Sequence, residues 1–281
     1  MDPSLELPPL SIPALLRAHQ LSPKKSLGQN YLSDPQVLQR IVTAARVTAS
    51  DDVLEIGPGL GSLTRYLAQS ARHVTAVELD DTLIPVLREV LSPWQNVSIV
   101  HADILKISPE ELMNQPGYLV VANIPYYITS AVFRHLLTSN CKPKRMVLTV
   151  QQEVAQRICA GPGDMSLLAL SVQVFGKASL EQKIPAGAFY PPPKVDSMVV
   201  KVELYEEPAI PNDRLDTFFQ LIKAGFSQKR KKLRNSLAAG LRISPIAADE
   251  LLQNAGIDPQ RRAETLSLDE WRSLTERMEL S

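Results

Sequence analysis

Short apolar segments rich in β-branched residues alternate with helical segments between residues 53 and 150 of this 281-residue chain. Each apolar segment has the length and composition of a buried strand, and a segment with helical periodicity separates it from the next. Strands connected through helices favour a parallel, doubly wound α/β sheet, because each helix carries the chain back to the same edge. The predicted strands are 53–56, 73–78, 97–101, one that contains 120–121, and 145–150.

The segments around these strands complete the predicted architecture. Asp34 and Pro35 are typical of an N-cap and a first helical position, so a helix is predicted over 35–45. Ser267 and Glu270 form a capping box for the last helix. Two later strands, 178–183 and 197–204, are predicted to close the sheet as a hairpin-like edge. The remaining predicted helices begin near residue 62 or cover 81–91, 131–137, 152–158, 166–174, 215–226, 229–240, 246–255 and 268–278.

A Pro-containing linker at 206–211 marks the predicted domain boundary. We therefore divide the chain into a flexible extension over 1–22, a Rossmann-like domain over 23–205 and a small all-helical domain over 206–281. The extension contains several prolines, although 13–19 could form one or two helical turns.

Composition excludes several classes of protein. Thirty basic and thirty acidic residues give a net charge of zero, so binding to nucleic acid would have to depend on local basic clusters. Cys141 and Cys159 form no metal or redox motif, and with four scattered histidines no metal site is predicted. No apolar run reaches the length of about 18 residues that spans a bilayer, and no secretion signal is evident. These features predict a cytoplasmic protein.

A glycine-rich turn follows the first predicted strand and precedes the next helix. Gly57 and Gly59 would let the backbone approach a ligand closely, but their spacing differs from the GxGxxG fingerprint that binds a pyrophosphate. The sequence also predicts three carboxylates at successive strand ends, Glu55, Glu78 and Asp103, which suit a cationic sulfonium better than a pyrophosphate. The predicted cofactor is therefore S-adenosyl-L-methionine, with Glu78 accepting from the ribose hydroxyls and Asp103 from the adenine amine.

A second motif, Asn123-Ile124-Pro125-Tyr126, ends the predicted strand around 120–121. An exocyclic amine of a base is a poor nucleophile, because its lone pair is delocalised into the ring. The Asn123 carboxamide oxygen and a neighbouring backbone carbonyl could accept from the two N–H groups and localise the lone pair. Pro125 would stiffen the turn, and Tyr126 would offer a face for stacking an extruded base. Asn and Pro are also common in ordinary turns, so this motif alone leaves both interpretations open.

Five motifs together carry a family resemblance. They occur in the order KKSLGQNYL (24–32), VLEIGPGLG (53–61), NIPY (123–126), FYPPPKVDS (189–197) and FSQKRKKLRNSL (226–237). The chain resembles the ribosomal RNA adenine dimethylase family over roughly residues 24–275, and specifically its small-subunit 16S branch.

The resemblance implies an S-adenosyl-L-methionine-dependent enzyme that dimethylates N6 of two adjacent adenosines in a hairpin near the 3′ end of small-subunit rRNA. Its partner would be this rRNA or the pre-30S particle, and it would act as a monomer. Asn30 and Leu32 would border the methionine part of the cofactor, Asn123 would lie between cofactor and target, and Phe189 would pack against the base. Ile124 also occurs in the antibiotic-resistance branch that methylates large-subunit RNA, which stays an alternative.

Basic residues concentrate in two of these motifs. RNA-phosphate contacts are predicted for Lys24, Lys25, Lys229, Arg230, Lys231, Lys232 and Arg234, although such a run can also be a solvated helix face. Three other functions fit the sequence less well. The glycine spacing disfavours a nicotinamide dehydrogenase, and neither cysteine lies in the Pro-Cys loop of a carbon-5 cytosine methylase. A non-catalytic ribosome-assembly factor remains possible, although the intact NIPY motif favours catalysis.

Overall fold

The structure is a computed structural model that describes residues 7–228 and 230–278. These residues form two compact units. The first contains the described residues up to Ala155 together with Ser179–Leu204, and the second contains Gln156–Ala178 together with the described residues from Tyr205 onward. Within this part of the chain, no helix combines the length and the apolar composition that crossing a membrane requires.

Helices and strands alternate through most of the first unit, as predicted. The α-helices are α1 Ile12–Ala18, α2 Pro35–Ala45, α3 Ser62–Ser70, α4 Ile84–Leu91, α5 Pro109–Leu112, α6 Thr129–Leu137, α7 Gln152–Ile158, α8 Leu167–Gln173, α9 Leu215–Phe226, α10 Leu233–Leu241, α11 Pro245–Asn254 and α12 Leu268–Arg277. The strands are β1 Tyr31–Leu32, β2 Asp52–Ile56, β3 His73–Glu78, β4 Val97–His101, β5 Leu119–Asn123, β6 Arg145–Gln151, β7 Gly176–Ile184, β8 Phe189–Tyr190 and β9 Ser197–Leu204.

Seven strands form the main sheet in the order β4-β3-β2-β5-β6-β9-β7. The five strands from β4 to β6 are parallel, and β9 pairs antiparallel with β6, with Leu148 opposite Val200. The predicted α/β doubly wound sheet with a hairpin-like edge is therefore confirmed. The sequence of β5 is continuously apolar because Leu119–Ala122 are fully buried, as expected for a central parallel strand.

Helix α2 shows how local sequence determines an element of this sheet unit. The Asp34 carboxylate accepts hydrogen bonds from the backbone N–H groups of Gln36 and Val37, which lack partners within the helix. Pro35 occupies the first turn, where it needs no donor. The buried residues Val37, Leu38, Ile41 and Ala45 recur at helical spacing and pack against the sheet core.

The N-terminal segment differs from the flexible extension that the sequence predicts. Residues 1–6 lie outside the described residues, but helix α1 is packed on the first unit. Ile12 and Leu16 are buried in an apolar cluster with Leu60 and Leu83, and the Arg65 guanidinium donates to the carbonyl of Pro8 at 2.9 Å. Burial of this apolar side of α1 keeps the segment ordered despite its prolines.

The domain boundary also differs from the prediction. Residues 156–178 belong to the helical unit rather than to the sheet domain of 23–205. The backbone N–H groups of Gly163 and Met165 both donate to the carbonyl of Glu264, and Ala209 donates to Val174. These bonds join segments that are distant in sequence, so the linker at 206–211 does not separate the units by itself.

The helical unit contains the predicted C-terminal helices, with one correction. Residues 229–240 were predicted as a single helix, but α10 begins at Leu233, and Lys232 is its extended N-cap. Positive charges at a helix N-terminus oppose the helix dipole, which disfavours helix through this basic run. The described basic residues before α10 therefore lie in a turn after α9, in which the backbone N–H of Lys231 donates to the carbonyl of Gln228 at 2.9 Å.

Candidate active site

A cavity lies at the C-terminal ends of the central parallel strands, where open α/β sheets bind ligands. Neighbouring parallel strands end at the same sheet edge, so residues far apart in sequence meet there. The cavity brings together these predicted site residues: Asn30, Leu32, Gly57, Gly59, Glu78, Asp103, Asn123, Ile124, Pro125 and Tyr126.

The glycine turn after β2 brings backbone to the cavity wall. Gly57 and Gly59 have φ angles of +68° and +59°, which favour glycine over residues with a side chain. A Cβ atom at Gly59 would lie 2.9 Å from the Tyr31 ring. The glycine at this position therefore permits both the turn and the close contact with Tyr31.

Glu78 ends strand β3 and is buried, with 6% of its surface exposed. Its Oε2 accepts from the backbone N–H of Gly59 at 3.0 Å, and its Oε1 accepts from that of Asp80 at 2.8 Å. Burial raises the pKa of Glu78, although these backbone hydrogen bonds oppose the increase. A carboxylate has about four acceptor sites, so Glu78 keeps acceptor capacity for a ligand in the cavity.

Asp103 follows strand β4 and is half-buried at the same cavity. Its Oδ1 accepts from the backbone N–H of Leu105 at 3.0 Å, and this bond fixes the side chain. Lys106 lies 3.6 Å from Oδ2, but the lysine side chain is 83% exposed, so this ion pair leaves Oδ2 accessible.

Glu55 also lines the cavity, although the sequence-based set of site residues omits it. It is 1% exposed, and its Oε2 makes no hydrogen bond with the described residues. Burial raises the pKa of Glu55 to about 8, the Thr64 hydroxyl lowers it and the nearby Glu78 raises it further. Positive charge in the cavity would lower the pKa of Glu55 and stabilise its ionised form, so this lining is compatible with a sulfonium cofactor. Its place in the strand before the glycine turn was the available sequence signal.

Asn123 ends β5 with its amide group held in one orientation. Its Nδ2 donates to the backbone carbonyl of Asn30 at 3.0 Å, which leaves the carboxamide oxygen as an acceptor. The carbonyl of Ile124 likewise accepts no hydrogen bond from the described residues. Two acceptors therefore occur next to each other at the end of this strand.

Two tyrosines follow Pro125 in a short 3-10 turn. The Tyr126 hydroxyl lies 2.7 Å from Oγ of Ser197, which fixes the half-buried ring, and burial raises the pKa of its phenol. Tyr127 also lines the cavity, but 62% of its surface is exposed. Tyr127 was absent from the sequence-based set because a single aromatic residue in a turn carries no distinctive signal.

Phe189 departs from its predicted place. It is only 4% exposed and packs in the apolar cluster that contains Leu38 and Ile41, and it is not among the residues that line the cavity. Successive strand residues point to opposite faces, and the next residue in β8, Tyr190, is 39% exposed. The position that the structure gives Phe189 is therefore that of a core residue.

The predicted RNA-binding residues fall into three groups. Lys25, Arg230 and Lys231 are exposed and make no ion pair with the described residues, whereas Lys229 lies outside those residues. Other members of the set have partners. Lys24 pairs with Asp80 at 2.6 Å, Arg234 with Asp249 at 3.0 Å, and Lys232 with the amide oxygen of Gln260. Among the described residues, no group of three His, Cys, Asp or Glu side chains could hold a metal ion.

Known proteins match this chain over most of its length. The model of the family described as ribosomal RNA adenine dimethylase matches residues 20–280. The ribosomal RNA small subunit methyltransferase A of Dehalococcoides mccartyi strain CBDB1 is 49% identical over 92% of this chain and 90% of its own length.

Two solved structures share the fold of this chain. The 23S rRNA methyltransferase ErmE has a TM-score of 0.72 and 30% identity, and the match covers 88% of this chain and 99% of that one. A dimethyladenosine transferase from Plasmodium falciparum has a TM-score of 0.74 and 27% identity, with coverage of 86% and 95%. The chain belongs to the ribosomal RNA adenine dimethylase family.

Proposed function

We propose that this protein uses S-adenosyl-L-methionine to dimethylate N6 of two adjacent adenosines in a hairpin near the 3′ end of small-subunit rRNA, during assembly of the small subunit. The observation that carries the proposal is the fixed Asn123 amide, whose free oxygen shares a cavity with Glu78 and Asp103. The 49% identity to a small-subunit rRNA methyltransferase supports the choice of RNA.

The cofactor half of the cavity has acceptors suited to this donor. S-adenosyl-L-methionine supplies a methyl group on a positively charged sulfur. Glu78 would accept from the ribose hydroxyls, and Asp103 would accept from the adenine amine with Oδ2. Gly57 and Gly59 would allow close approach of the backbone, and Asn30 and Leu32 would border the methionine portion. These four residues all line the same cavity.

The target half has acceptors for an exocyclic amine. The Asn123 oxygen and the Ile124 carbonyl would accept from the two N6–H groups, which localises the nitrogen lone pair and stabilises the positive charge that develops on it. Tyr126 would stack on the adenine, because the Ser197 contact fixes its ring. The methylated amine becomes acidic and loses its proton to solvent, so alignment replaces a general base.

Basic residues would bind the RNA backbone. Lys25 in the first unit and the run from Lys229 to Lys232 in the second unit are the proposed phosphate contacts. Arg234 would contribute less, because Asp249 already neutralises it. We further propose that the enzyme acts in the cytoplasm as a monomer on the rRNA of the pre-30S particle.

Methylation of large-subunit RNA is a second candidate. The observation in its favour is the 30% identity to a 23S rRNA methyltransferase, which extends over 99% of that chain. The higher identity to the small-subunit relative favours the first candidate.

One experiment separates the candidates. The purified protein is incubated with radiolabelled S-adenosyl-L-methionine and undermethylated small or large subunits, and the labelled nucleosides are mapped. We expect dimethyladenosine at two adjacent positions in the small subunit. Label confined to the large subunit would support the second candidate, and no transfer to either subunit would contradict both.

A further inference from the structure

A buried aspartate outside the proposed donor contacts organises one wall of the cavity. The side chain of Asp80 is 1% exposed, and both of its oxygens are bound by the loop over residues 24–30. Lys24 Nζ lies 2.6 Å from Oδ1, and Gln29 Nε2 donates to Oδ2 at 2.7 Å. Burial opposes ionisation of Asp80, but the hydrogen bonds from Lys24, Thr82 and Gln29 lower its pKa overall. The charged carboxylate is therefore tied to this loop.

Tyr31 connects the same loop to the glycine turn. Its hydroxyl donates to Gln29 Oε1 at 2.9 Å, and the same oxygen accepts from the backbone N–H of Lys24 at 2.7 Å. The Tyr31 ring lies so close to Gly59 that a Cβ atom there would come within 2.9 Å of it. A phenylalanine could fill the same space but could not make the bond to Gln29.

These hydrogen bonds and packing contacts connect the residues around Glu78 in a ring. Its carboxylate accepts from the backbone N–H of Asp80 and from that of Gly59, at 2.8 and 3.0 Å. Asp80 accepts from the Gln29 side chain, Gln29 accepts from the Tyr31 hydroxyl, and the Tyr31 ring lies against Gly59. We name Lys24, Gln29, Tyr31 and Asp80 the Asp80 network. Asp80 contacts Glu78 directly through its backbone N–H, and the other three members belong to the segment over 24–31 beside the cavity.

We propose that the Asp80 network positions the site that binds the methyl donor. It holds Glu78 and the glycine turn in the geometry that accepts the ribose of this nucleoside. Lys24 thus acts within the protein rather than on RNA phosphate. This inference rests on the proposed function, because it concerns the same donor site. It predicts that damage to the network weakens donor binding and leaves the transfer step at saturating donor intact, because uniform binding affects KM and not kcat.

Conservative variants test the network without removing the fold. Tyr31→Phe deletes one hydrogen bond and keeps the ring, so we expect donor affinity to fall roughly five-fold. Lys24→Met removes a charged partner of a buried carboxylate, for which we expect a loss of about ten-fold or more. Lys24→Arg should restore most of the affinity. Lys177→Met is the matched control, because it removes the same charge from an exposed position in β7 that does not line the cavity. Lys25→Met serves as the reference for loss of a phosphate contact.

The measurements are calorimetric titration with S-adenosyl-L-homocysteine, the KM for S-adenosyl-L-methionine, kcat and RNA affinity as a function of salt. Circular dichroism and thermal unfolding confirm that each variant is folded. The inference requires Tyr31→Phe and Lys24→Met to raise the Kd for S-adenosyl-L-homocysteine and the KM for S-adenosyl-L-methionine while kcat is unchanged. It also requires Lys177→Met to leave both constants unchanged.

Two outcomes would overturn the inference. Folded Tyr31→Phe and Lys24→Met proteins with the wild-type Kd would show that the network does not position the donor site. Equal losses of RNA affinity in Lys24→Met and Lys25→Met, with donor binding intact, would make Lys24 a phosphate contact. If the wild-type protein itself binds no nucleoside, the proposed function fails as well, so the two failures are distinguishable.

Discussion

The amide nitrogen of Asn123 donates to the backbone carbonyl of Asn30 at 3.0 Å, across 93 positions of sequence. This bond determines which end of the carboxamide is left to act on a ligand. A donor facing the target amine would repel its N–H groups, whereas the free oxygen can accept from them. The loop over residues 24–30 therefore contributes to the target site as well as to the donor site.

Replacement of Asn123 tests the importance of this orientation. Asn123→Ala should lower kcat by about 100- to 1,000-fold, as when an enzyme loses one hydrogen-bonding group that stabilises transition-state charge. Asn123→Asp should also be impaired, because a carboxylate keeps acceptors but cannot donate to Asn30. Single-turnover methylation of small subunits measures the loss, and nucleoside titration checks that the donor site is intact. Wild-type turnover by Asn123→Ala would contradict the assignment.

Gly59 provides a second test, because Gly59→Ala combines strain in the backbone with a clash against the Tyr31 ring, and the two effects can be measured separately. Gly59→Ala should lose about 1–2 kcal/mol of stability from its positive φ angle and should also displace the Tyr31 ring, which weakens donor binding. Gly117→Ala is the matched control, since Gly117 has a φ of +90° but no atom within 4 Å of a built Cβ. Denaturant unfolding should show a loss in both variants, and nucleoside titration a loss only in Gly59→Ala. Equal donor affinities would refute the steric argument.

Local patterns in the sequence were sufficient to predict most of the sheet unit. The helix over 35–45 and the strands over 73–78, 97–101 and 197–204 have the predicted bounds. Their periodicity, caps and apolar runs agree with the tertiary structure, so local and global preferences coincide. Residues 156–178 were misassigned because their membership depends on bonds to Glu264, far along the chain and invisible to local patterns.

The candidate site likewise contains some residues whose positions local sequence patterns predict and others whose positions they do not. Glu78, Asp103 and Asn123 could be predicted because each ends or follows a parallel strand, which determines the edge where its side chain lies. The partner of Lys24 could not be predicted, since Asp80 is 56 positions away and any exposed carboxylate would have suited the lysine equally well. The burial of Phe189 outside the cavity lining could not be predicted, because its motif does not reveal which face of a two-residue strand is buried.

The basic sequence run over 229–232, which precedes α10, should control RNA affinity through phosphate contacts. Replacing Lys229, Arg230, Lys231 and Lys232 with Ala removes four positive charges, so RNA binding should weaken. The slope of log K against log salt concentration should become shallower by roughly three, because each phosphate contact on a single strand contributes about 0.7 to it. Filter binding over a series of salt concentrations measures this slope. Arg272→Ala removes an exposed cation elsewhere in the same unit and serves as the control. An unchanged slope would exclude the phosphate role.

Glu55 should make the stability of the free protein decrease as the pH rises. Its pKa is about 8 in the folded chain and near 4.5 when exposed, so the folded state binds more protons between these values. The stabilisation is complete below about pH 4.5 and is lost as the pH approaches 8, with a slope of up to about 1.4 kcal/mol per pH unit. Glu55→Gln should flatten this decrease, which urea unfolding at pH 5, 6, 7 and 8 would measure. Saturating donor should flatten it in the wild-type protein too, because a cation beside Glu55 favours its ionised form. Identical pH profiles for the wild-type and Glu55→Gln proteins would show that Glu55 is already ionised in the folded chain.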